Sequence, residues 1–484
     1  MLFNSVEFVV FFAVVAVLYF RVEQGWRRWL LLGASYVFYM CWNPVYILLI
    51  LASTGVDYYC GLRLGSADGD ASRRRWLVLS LACNLGLLFV FKYFNFFAAW
   101  SLWATTGSWP EERLLDILLP VGISFYTFQT LSYTIDVYQG RREPERRLSA
   151  FALYVSFFPQ LVAGPIERST RLLPQFDKPI AFSASRAADG LRLMLWGYFK
   201  KMVLADNLAL LVDPVYADPG AFGGPACAVA TVAFAFQIYG DFSGYSDIAI
   251  GAAQVLGIDL MENFRRPYFA RSIRDFWARW HMSLSTWFRD YLYIPLGGNR
   301  VSRSHWYRNV LIVFVVSGLW HGANWTFVVW GFLHGLYSVV AFATADARAR
   351  WAERTGLVRL PRLRNAFQVA CTFALVCFAW VFFRADTLTD AGRLLVRLPS
   401  GWGRLCSAGG LRALVILDTS VPFLVGFGAV AVLLAVQLVQ RRRRMRHWLA
   451  DRPVWVRWGA AYALLLAILL LGGFDAKQFI YFQF

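Results

Sequence analysis

The sequence predicts an all-α, polytopic membrane protein with about ten to twelve transmembrane helices and additional re-entrant segments around an internal chamber. Three observations carry this prediction: an apolar composition, basic clusters between the apolar runs, and polar residues that interrupt those runs. Of the 484 residues, 58% are hydrophobic and 16% are charged. A soluble protein of this length needs a larger charged fraction to solvate its surface, so we expect one integral-membrane domain over residues 1–484.

The net charge of +18 reflects arginines that lie between apolar runs. This placement favours cytoplasmic loops over a nucleic-acid-binding surface, so no nucleic-acid partner is expected. If every basic cluster is cytoplasmic, one span precedes the first cluster, at residues 6–20, and one follows the last, at residues 454–471. Both termini are therefore predicted to lie outside the cytoplasm. The basic clusters are residues 21–28, 73–75, 141–147, 348–364 and 441–446.

Apolar runs between the basic clusters predict further spans in out-and-back pairs. Polar residues interrupt several runs, and a helix break at membrane depth is tolerated only where protein or a water-filled cavity satisfies the freed backbone groups. These interruptions predict the internal chamber. The paired spans are residues 76–103 with 114–137 and residues 367–383 with 414–440, and the interruptions are residues 42–44, 136, 163–166 and 241–247.

The sequence lacks the motifs of the common soluble catalytic machines, such as a nucleophile-elbow serine, a zinc-binding histidine pair or a phosphate-binding Gly-rich loop. The seven cysteines are odd in number and scattered, and most lie in apolar segments. They are expected to pack in the interior and to form neither a disulfide framework nor a metal site. The first apolar run lacks the flanks of a cleaved signal peptide and is expected to be retained.

His321 lies within an apolar stretch that runs from about residue 310 to residue 340. An ionisable residue at membrane depth is costly and is functional by default, and a neutral imidazole works as a general base near pH 7. The alternative is a structural histidine whose partner is Asn324, three residues further on. His334 does not share the helix face of His321, and we assign it to packing or to an interhelical hydrogen bond.

Residues 261–300 are too polar to span a membrane and too aromatic for a free loop, and they predict an amphipathic or re-entrant platform on the cytoplasmic side. Arginine forks bind phosphates and aromatic faces stack on bases, so an acyl-CoA would suit this platform. The alternative is that the arginines pair with anionic lipid headgroups. The candidate acyl-CoA-binding residues are Asn263, Arg265, Arg266, Arg279, Trp280 and Arg289, and His281 lies among them.

The chain ends with the aromatic sequence FIYFQF at residues 479–484. Such a sequence is typical of an interfacial aromatic anchor. The alternative is that the Tyr481 hydroxyl enters a tunnel mouth and accepts an acyl group as a covalent carrier.

Together these segments resemble the membrane-bound O-acyltransferase family, specifically its bacterial branch that acts on cell-surface polymers. The resemblance covers nearly the whole chain and rests on several long motifs in the right order. These motifs are PVGISFYTF at residues 120–128, FPQLVAGP at 158–165, DFSGYSD at 241–247, the block at 261–300, and GLWHGA at 318–323.

The resemblance implies a central tunnel and a set of functional residues. It implies that His321 is the catalytic histidine, that His281 is a second functional histidine on the cytoplasmic side, and that Tyr481 is the acyl-carrying tyrosine of a C-terminal signature. In the D-alanyl-transferring relatives this signature lies on a separate small protein, whereas here it follows the last predicted span.

The implied activity is transfer of an acetyl group from acetyl-CoA, the expected cosubstrate, across a bacterial inner membrane through His321 and Tyr481. A periplasmic acetyltransferase with a serine nucleophile would then place the group on polysaccharide, which this chain meets only indirectly. Alginate-like exopolysaccharide, cellulose and peptidoglycan stay open as acceptors. Membrane lipids are the other expected partners, with no resident cofactor or metal. Competing functions are acylation of a protein or lipid, non-catalytic movement of a lipid or acyl group, and a scaffold for a secretion complex.

Overall fold

The computed structural model describes residues 1–108, 114–162, 164–403, 420–441, 448, 451–474 and 479–480. Every regular element within these ranges is helical, which confirms the predicted all-α class. Seven helices among the described residues are long and apolar enough to cross a membrane. These are Pro44–Ser66, Asp70–Thr106, Gly224–Val255, Trp325–Ala343, Pro361–Arg384, Val421–Gln440 and Val454–Leu471.

The chain divides into two compact units, and the first comprises residues 1–194 and 245–262. Its helices are α1 (Val6–Arg21), α2 (Gln24–Met40), α3 (Ile47–Ser66), α4 (Asp70–Leu88), α5 (Phe94–Thr106), α6 (Ile123–Tyr138), α7 (Leu148–Ser156), α8 (Phe158–Leu161), α9 (Ser169–Leu172) and most of α10 (Ala184–Tyr198). A five-residue π-helical segment, Phe89–Tyr93, joins α4 to α5. The helices α1 and α2, of 16 and 17 residues, are shorter than the candidate spans, so the predicted total of about ten to twelve stays a prediction.

A buried carboxylate ties three helices of the first unit together. Asp57 of α3 is fully buried and accepts hydrogen bonds from the Ser80 hydroxyl (2.5 Å) and the Asn84 amide (2.9 Å) of α4. The Thr134 hydroxyl of α6 lies 3.4 Å from the same carboxylate. Polar side chains that are fully partnered in this way hold apolar helices in one register, because each would otherwise be buried without a hydrogen bond.

A second buried carboxylate lies in the loop between α8 and α9. Glu167 accepts a hydrogen bond from the backbone N–H of Met261, the first residue of the predicted platform. Burial raises the pKa of Glu167 to about 7. The bond holds Met261 to the loop that precedes α9, and both residues belong to the first unit.

The second unit comprises residues 195–244 and 263–484. Helix α12 (Gly224–Val255) contributes residues to both units. The other helices of the second unit are α11 (Asp206–Ala217), α13 (Ile273–Trp277), α14 (Met282–Phe288), α15 (Arg303–His321), α16 (Trp325–Ala343), α17 (Ala345–Arg354), α18 (Pro361–Arg384), α19 (Leu388–Arg397), α20 (Ser420–Gln440) and α21 (Val454–Leu471). Residues Phe199–Ala205 and Arg289–Tyr293 are π-helical.

Two of the four predicted helix breaks are observed and two are wrong. Helix α2 ends at Met40 and α3 begins at Ile47, and residues 164–168 between α8 and α9 are irregular. In contrast, α6 continues past Asp136, and α12 runs unbroken through residues 241–247. The reason in α12 is that lysines partner its polar groups: Lys201 pairs with Asp241 at 2.6 Å, and Lys200 donates to the Ser243 hydroxyl at 2.8 Å.

The predicted spans agree with the helices except at one N-terminus. Residues 6–20, 367–383 and 454–471 are helical, and residues 76–103 lie in the continuous helical stretch Asp70–Thr106. The span predicted at 114–137 is helical only from Ile123. Gly122 before it has a φ of +77°, and a Cβ there would lie 2.7 Å from the Leu161 carbonyl oxygen. Residues 414–419 lie outside the described residues.

The Asp57 cluster yields a stability prediction. Asp57→Ala leaves the Ser80 and Asn84 donors buried without their acceptor, so the free energy of unfolding in detergent should fall by about 1–3 kcal/mol. Asp68→Ala, in an exposed loop, is the control and should leave stability unchanged. Equal stability of the two variants would contradict the role given to Asp57.

Candidate active site

A tightly packed helical hairpin positions His321. Helix α15 ends at His321 and α16 begins four residues later at Trp325. The two helices meet at glycines: a Cβ on Gly318 would lie 2.2 Å from the Phe327 carbonyl oxygen, and one on Gly331 would lie 2.3 Å from the Phe314 carbonyl oxygen. Small residues let the two backbones approach this closely, so the last turn of α15 is held rigidly against α16.

His321 is 3% exposed and lies among aromatic rings. The ring centroids of Trp320, Trp330 and Phe383 lie 4.9, 5.0 and 5.3 Å from the centroid of its imidazole. The alternative partner, Asn324, is engaged elsewhere: its side-chain oxygen accepts from the N–H of Thr326 and its amide donates to a backbone carbonyl. The structure therefore does not support a purely structural pairing of His321 with Asn324.

His281 shares a buried site with His321. Its side chain is fully buried, and the two imidazole centroids are 6.5 Å apart. The Phe242 ring packs edge-on against His281 at 4.5 Å, and the Trp320 ring lies 6.1 Å away. The platform segment is therefore buried at this residue. We refer to the two histidines and these surrounding rings as the histidine site, and all of its residues belong to the second unit.

Asn263 holds His281 in an uncommon backbone conformation. His281 has a φ of +43°, directly before α14. The Asn263 carbonyl accepts the N–H of Met282 at 2.9 Å, and its side-chain oxygen accepts both the N–H and the hydroxyl of Ser283. A left-handed conformation costs a non-glycine residue about 1–2 kcal/mol, and these bonds offset that cost. Strain of this kind is typical of functional positions.

The candidate acyl-CoA residues separate into two groups. Asn263 and Trp280 are buried, and Trp280 packs against the rings of Tyr239, Phe264, Tyr268, Phe276 and Trp380. The position of Trp280 does not support stacking on a nucleotide base, because these rings already cover the indole. The arginines lie further out.

Arg265 and Arg289 are exposed, and Arg266 and Arg279 are half-buried. Arg279 pairs with Asp275 at 2.7 Å, and Arg289 pairs with its neighbour Asp290 at 2.8 Å. Each aspartate lies within four residues of its arginine in the sequence. A guanidinium group carries five N–H donors, so each arginine has further donors for another anion. The arginines remain candidates for phosphate contacts.

Sequence reasoning missed a charged cluster beside the histidine site. Lys201 lies on the π-helical segment Phe199–Ala205 and contacts Asp206 at 2.9 Å and Asp241 at 2.6 Å. All three side chains are buried. We call these residues the charged triad. The signal that could have revealed it is the pair Lys200 and Lys201 within an otherwise apolar run.

The chain from Leu471 onward, which we call the C-terminal segment, contacts the charged triad at residue 480. Phe479 and Ile480 are buried, and the N–H of Ile480 donates to the Asp241 carboxylate at 2.8 Å. The Phe479 ring lies 5.5 Å from Phe242, which contacts His281. Burial at these two positions does not fit an interfacial anchor. Tyr481 follows directly in the chain and lies outside the described residues.

His334 has the interhelical role that the sequence predicted. The Trp277 indole of α13 donates to the His334 imidazole of α16 at 3.3 Å. The histidine is fully buried and packs against the Trp277 and Trp330 rings.

Comparison with known proteins gives a consistent result. A model described as MBOAT, the membrane-bound O-acyltransferase family, matches residues 146–384, which include His281 and His321. The probable alginate O-acetylase of Pseudomonas aeruginosa is 42% identical over 398 residues, 81% of this chain and 74% of that protein. The peptidoglycan O-acetyltransferase of Helicobacter pylori is 37% identical over 429 residues, 82% of this chain and 79% of that protein. The teichoic acid D-alanyltransferase of Bacillus subtilis is 27% identical over 289 residues, 57% of this chain and 70% of that protein.

The glycine contacts of the α15–α16 hairpin can be tested by stability. Gly318→Ala forces a methyl group against the Phe327 carbonyl, so the free energy of unfolding should fall by about 1–3 kcal/mol. Gly86→Ala is the matched control, since it is a helical glycine with nothing within 4 Å of its added Cβ, and it should be neutral or stabilising. A Gly318→Ala protein as stable as Gly86→Ala would show that the close approach is unimportant.

Proposed function

The chain belongs to the membrane-bound O-acyltransferase family, and from that premise we propose that it moves an acetyl group from cytoplasmic acetyl-CoA, through His321 and Tyr481, to the periplasmic side for O-acetylation of a polysaccharide. Family membership makes the protein a multi-pass membrane acyltransferase. The donor, the residues and the direction of transfer are the content of the proposal.

One observation carries the assignment of the chemistry to the histidine site. Two buried imidazoles lie 6.5 Å apart, and the ring of Phe479, two residues before Tyr481, lies 5.5 Å from the Phe242 ring that packs against His281. At that spacing both imidazoles can reach one reacting group, one as a base and the other as a hydrogen-bond donor. His334 is equally buried but bonds to Trp277, so burial alone does not single out the site.

In the proposed step, His321 takes the proton from an acceptor hydroxyl, and the oxygen attacks the thioester carbonyl of acetyl-CoA. The new C–O ester bond forms as the C–S bond breaks, and the leaving thiolate receives the proton from His321. His281 donates a hydrogen bond to the carbonyl oxygen as negative charge develops there. The aromatic walls limit water, which favours acyl transfer over hydrolysis of the thioester.

The donor is proposed to reach this site from the platform segment. The guanidinium groups of Arg265, Arg266, Arg279 and Arg289 would bind the phosphates of coenzyme A, while the thioester extends towards the histidines. Their exposed or half-buried positions support this role. Pairing of the same arginines with anionic lipid is the alternative, and it predicts that their substitution leaves the KM for acetyl-CoA unchanged.

The acceptor side is proposed from the relatives and from the C-terminal segment. Two relatives are named for O-acetylation, one of alginate and the other of peptidoglycan. Alginate and peptidoglycan are both polymers outside the cytoplasm. We propose a bacterial inner-membrane location with both termini on the periplasmic side, so that an ester on Tyr481 is accessible there. A periplasmic acetyltransferase with a serine nucleophile would complete the transfer to polysaccharide.

A labelling experiment tests the two central residues. Purified protein is incubated with acetyl-CoA labelled in the acetyl group, and ester-linked label is measured on the C-terminal peptide. His321→Gln should reduce the label by about 10²–10⁴-fold, because the general base is lost. His334→Gln is the matched control, a buried histidine outside the site, and should retain labelling.

The same assay examines the carrier. Tyr481→Phe should abolish the label on the C-terminal peptide. Label that persists in this variant would contradict the carrier role, and labelling of His321→Gln at the wild-type rate would contradict the base. A non-catalytic transporter predicts that no variant consumes acetyl-CoA.

His281 is tested by a variant that keeps its backbone. Asparagine tolerates a positive φ better than other non-glycine residues, so His281→Asn should fold normally. Its rate of acetyl transfer should fall at least about tenfold, because the shorter side chain cannot reach the carbonyl oxygen. A wild-type rate would remove His281 from the chemistry.

A further inference from the structure

We propose that the charged triad of Lys201, Asp206 and Asp241 is a docking site for the polypeptide backbone of the C-terminal segment, and that this docking sets the rate at which Tyr481 is acylated. The ligand class is an extended peptide recognised through its amide groups. The proposal rests on the carrier role of Tyr481 given above and adds to it the residues that position the carrier.

The triad has the geometry of a site for a hydrogen-bond donor. The Lys201 ammonium bridges Asp206 and one oxygen of the Asp241 carboxylate, at 2.9 and 2.6 Å. The other Asp241 oxygen accepts the N–H of Ile480 at 2.8 Å. Lys201 thus fixes the orientation of the carboxylate whose second oxygen faces the C-terminal segment.

Burial of an ionic cluster costs free energy, and the backbone that carries Lys201 has an unusual conformation. Residues Phe199–Ala205 form a π-helical segment, and both of its lysines are buried. Short π-helical segments within α-helices occur frequently at functional sites. Burial of charges removes their hydration, and apolar packing of the same volume is often equally stable, so stability alone does not explain the cluster.

The C-terminal segment is tied to the same region at two earlier points. The Asn207 amide donates to the Leu471 carbonyl at the end of α21, and the N–H of Gly473 donates to the Met202 carbonyl at 3.0 Å. A Cβ on Gly473 would lie 3.2 Å from the Cβ of Asp206. Both contacts use backbone atoms of the C-terminal segment, so the segment is held in place by its main chain.

The docking site and the histidine site are adjacent on α12. Asp241 binds the backbone of Ile480, and the next residue, Phe242, packs against both Phe479 and His281. Because Tyr481 is joined covalently to residue 480, anchoring residue 480 limits how far the tyrosine can move from Asp241. Fixing a reactant in this way raises the rate by removing part of the entropic cost of bringing the groups together.

Variants of Ile480 test the docking in the full-length chain. Ile480→Pro removes the amide hydrogen, and Ile480→Val retains it with a similar side chain. Because a hydrogen bond to a charged group is lost, Ile480→Pro should form about tenfold less ester at Tyr481, or less still. Ile480→Val keeps the bond and should form as much ester as the wild type. Wild-type labelling of Ile480→Pro would overturn the proposal.

A double variant separates docking from a merely structural ion cluster. Asp241→Ala should reduce labelling to a similar extent as Ile480→Pro, and the two changes together should cause little further loss, because both remove the same contact. Losses that multiply in the double variant would mean that Asp241 acts through general stability, and would overturn the proposal.

Carboxypeptidase trimming reports docking without any acyl transfer. The length of the trimmed chain is measured by intact mass spectrometry. In the wild type, trimming should stop before the buried residues 479 and 480, whereas Asp241→Ala should be trimmed further. Asp213→Ala is the matched control, an acidic residue of α11 that pairs with Arg384 outside the triad. If Asp241→Ala is trimmed further but the wild type never acquires label on Tyr481, the docking site is supported and the carrier step is refuted. Equal trimming of both variants would overturn the docking site.

Discussion

The need to partner every polar group inside an apolar chain shapes both units of this protein. Where lipid and packed rings replace water, an amide or a carboxylate must find its hydrogen bonds within the chain. Asp57 meets this need with hydroxyl and amide donors from neighbouring helices. Asp241 meets it with Lys201 and with the backbone of Ile480. The same requirement that stabilises the helices therefore also holds Ile480 against Asp241, next to Phe242 of the histidine site.

The histidine site depends on two different local devices. On one side, glycines at the α15–α16 contact bring the helices together and set His321 at the end of a rigid turn. On the other side, Asn263 holds His281 in a left-handed conformation at the start of α14. One device removes side chains and the other adds hydrogen bonds, yet both reduce the freedom of an imidazole before any substrate binds. Preorganisation of this kind is what acyl transfer requires of a base and a hydrogen-bond donor.

Sequence patterns predicted much of this arrangement. Hydropathy identified α1, α18 and α21, and the GLWHGA motif within a long apolar run identified His321. Interactions between distant segments were not visible. The polar run at 241–247 predicts a break when read alone, but lysines of a facing π-helical segment partner it and α12 continues. Trp280 looked available for stacking on a base because neighbouring arginines surround it in sequence, whereas the aromatic rings that cover it come from residues as distant as Trp380.

The proposed function depends on one step, the passage of an acyl group from the histidine site to Tyr481. The most direct measurement is a single-turnover reaction of the unmodified protein with acetyl-CoA, followed by peptide mass spectrometry and by treatment with hydroxylamine, which cleaves phenolic esters. We expect release of coenzyme A together with one hydroxylamine-labile acetyl ester, located on Tyr481. Release of coenzyme A with no ester on the protein, or with an ester at a different residue, would contradict this expectation.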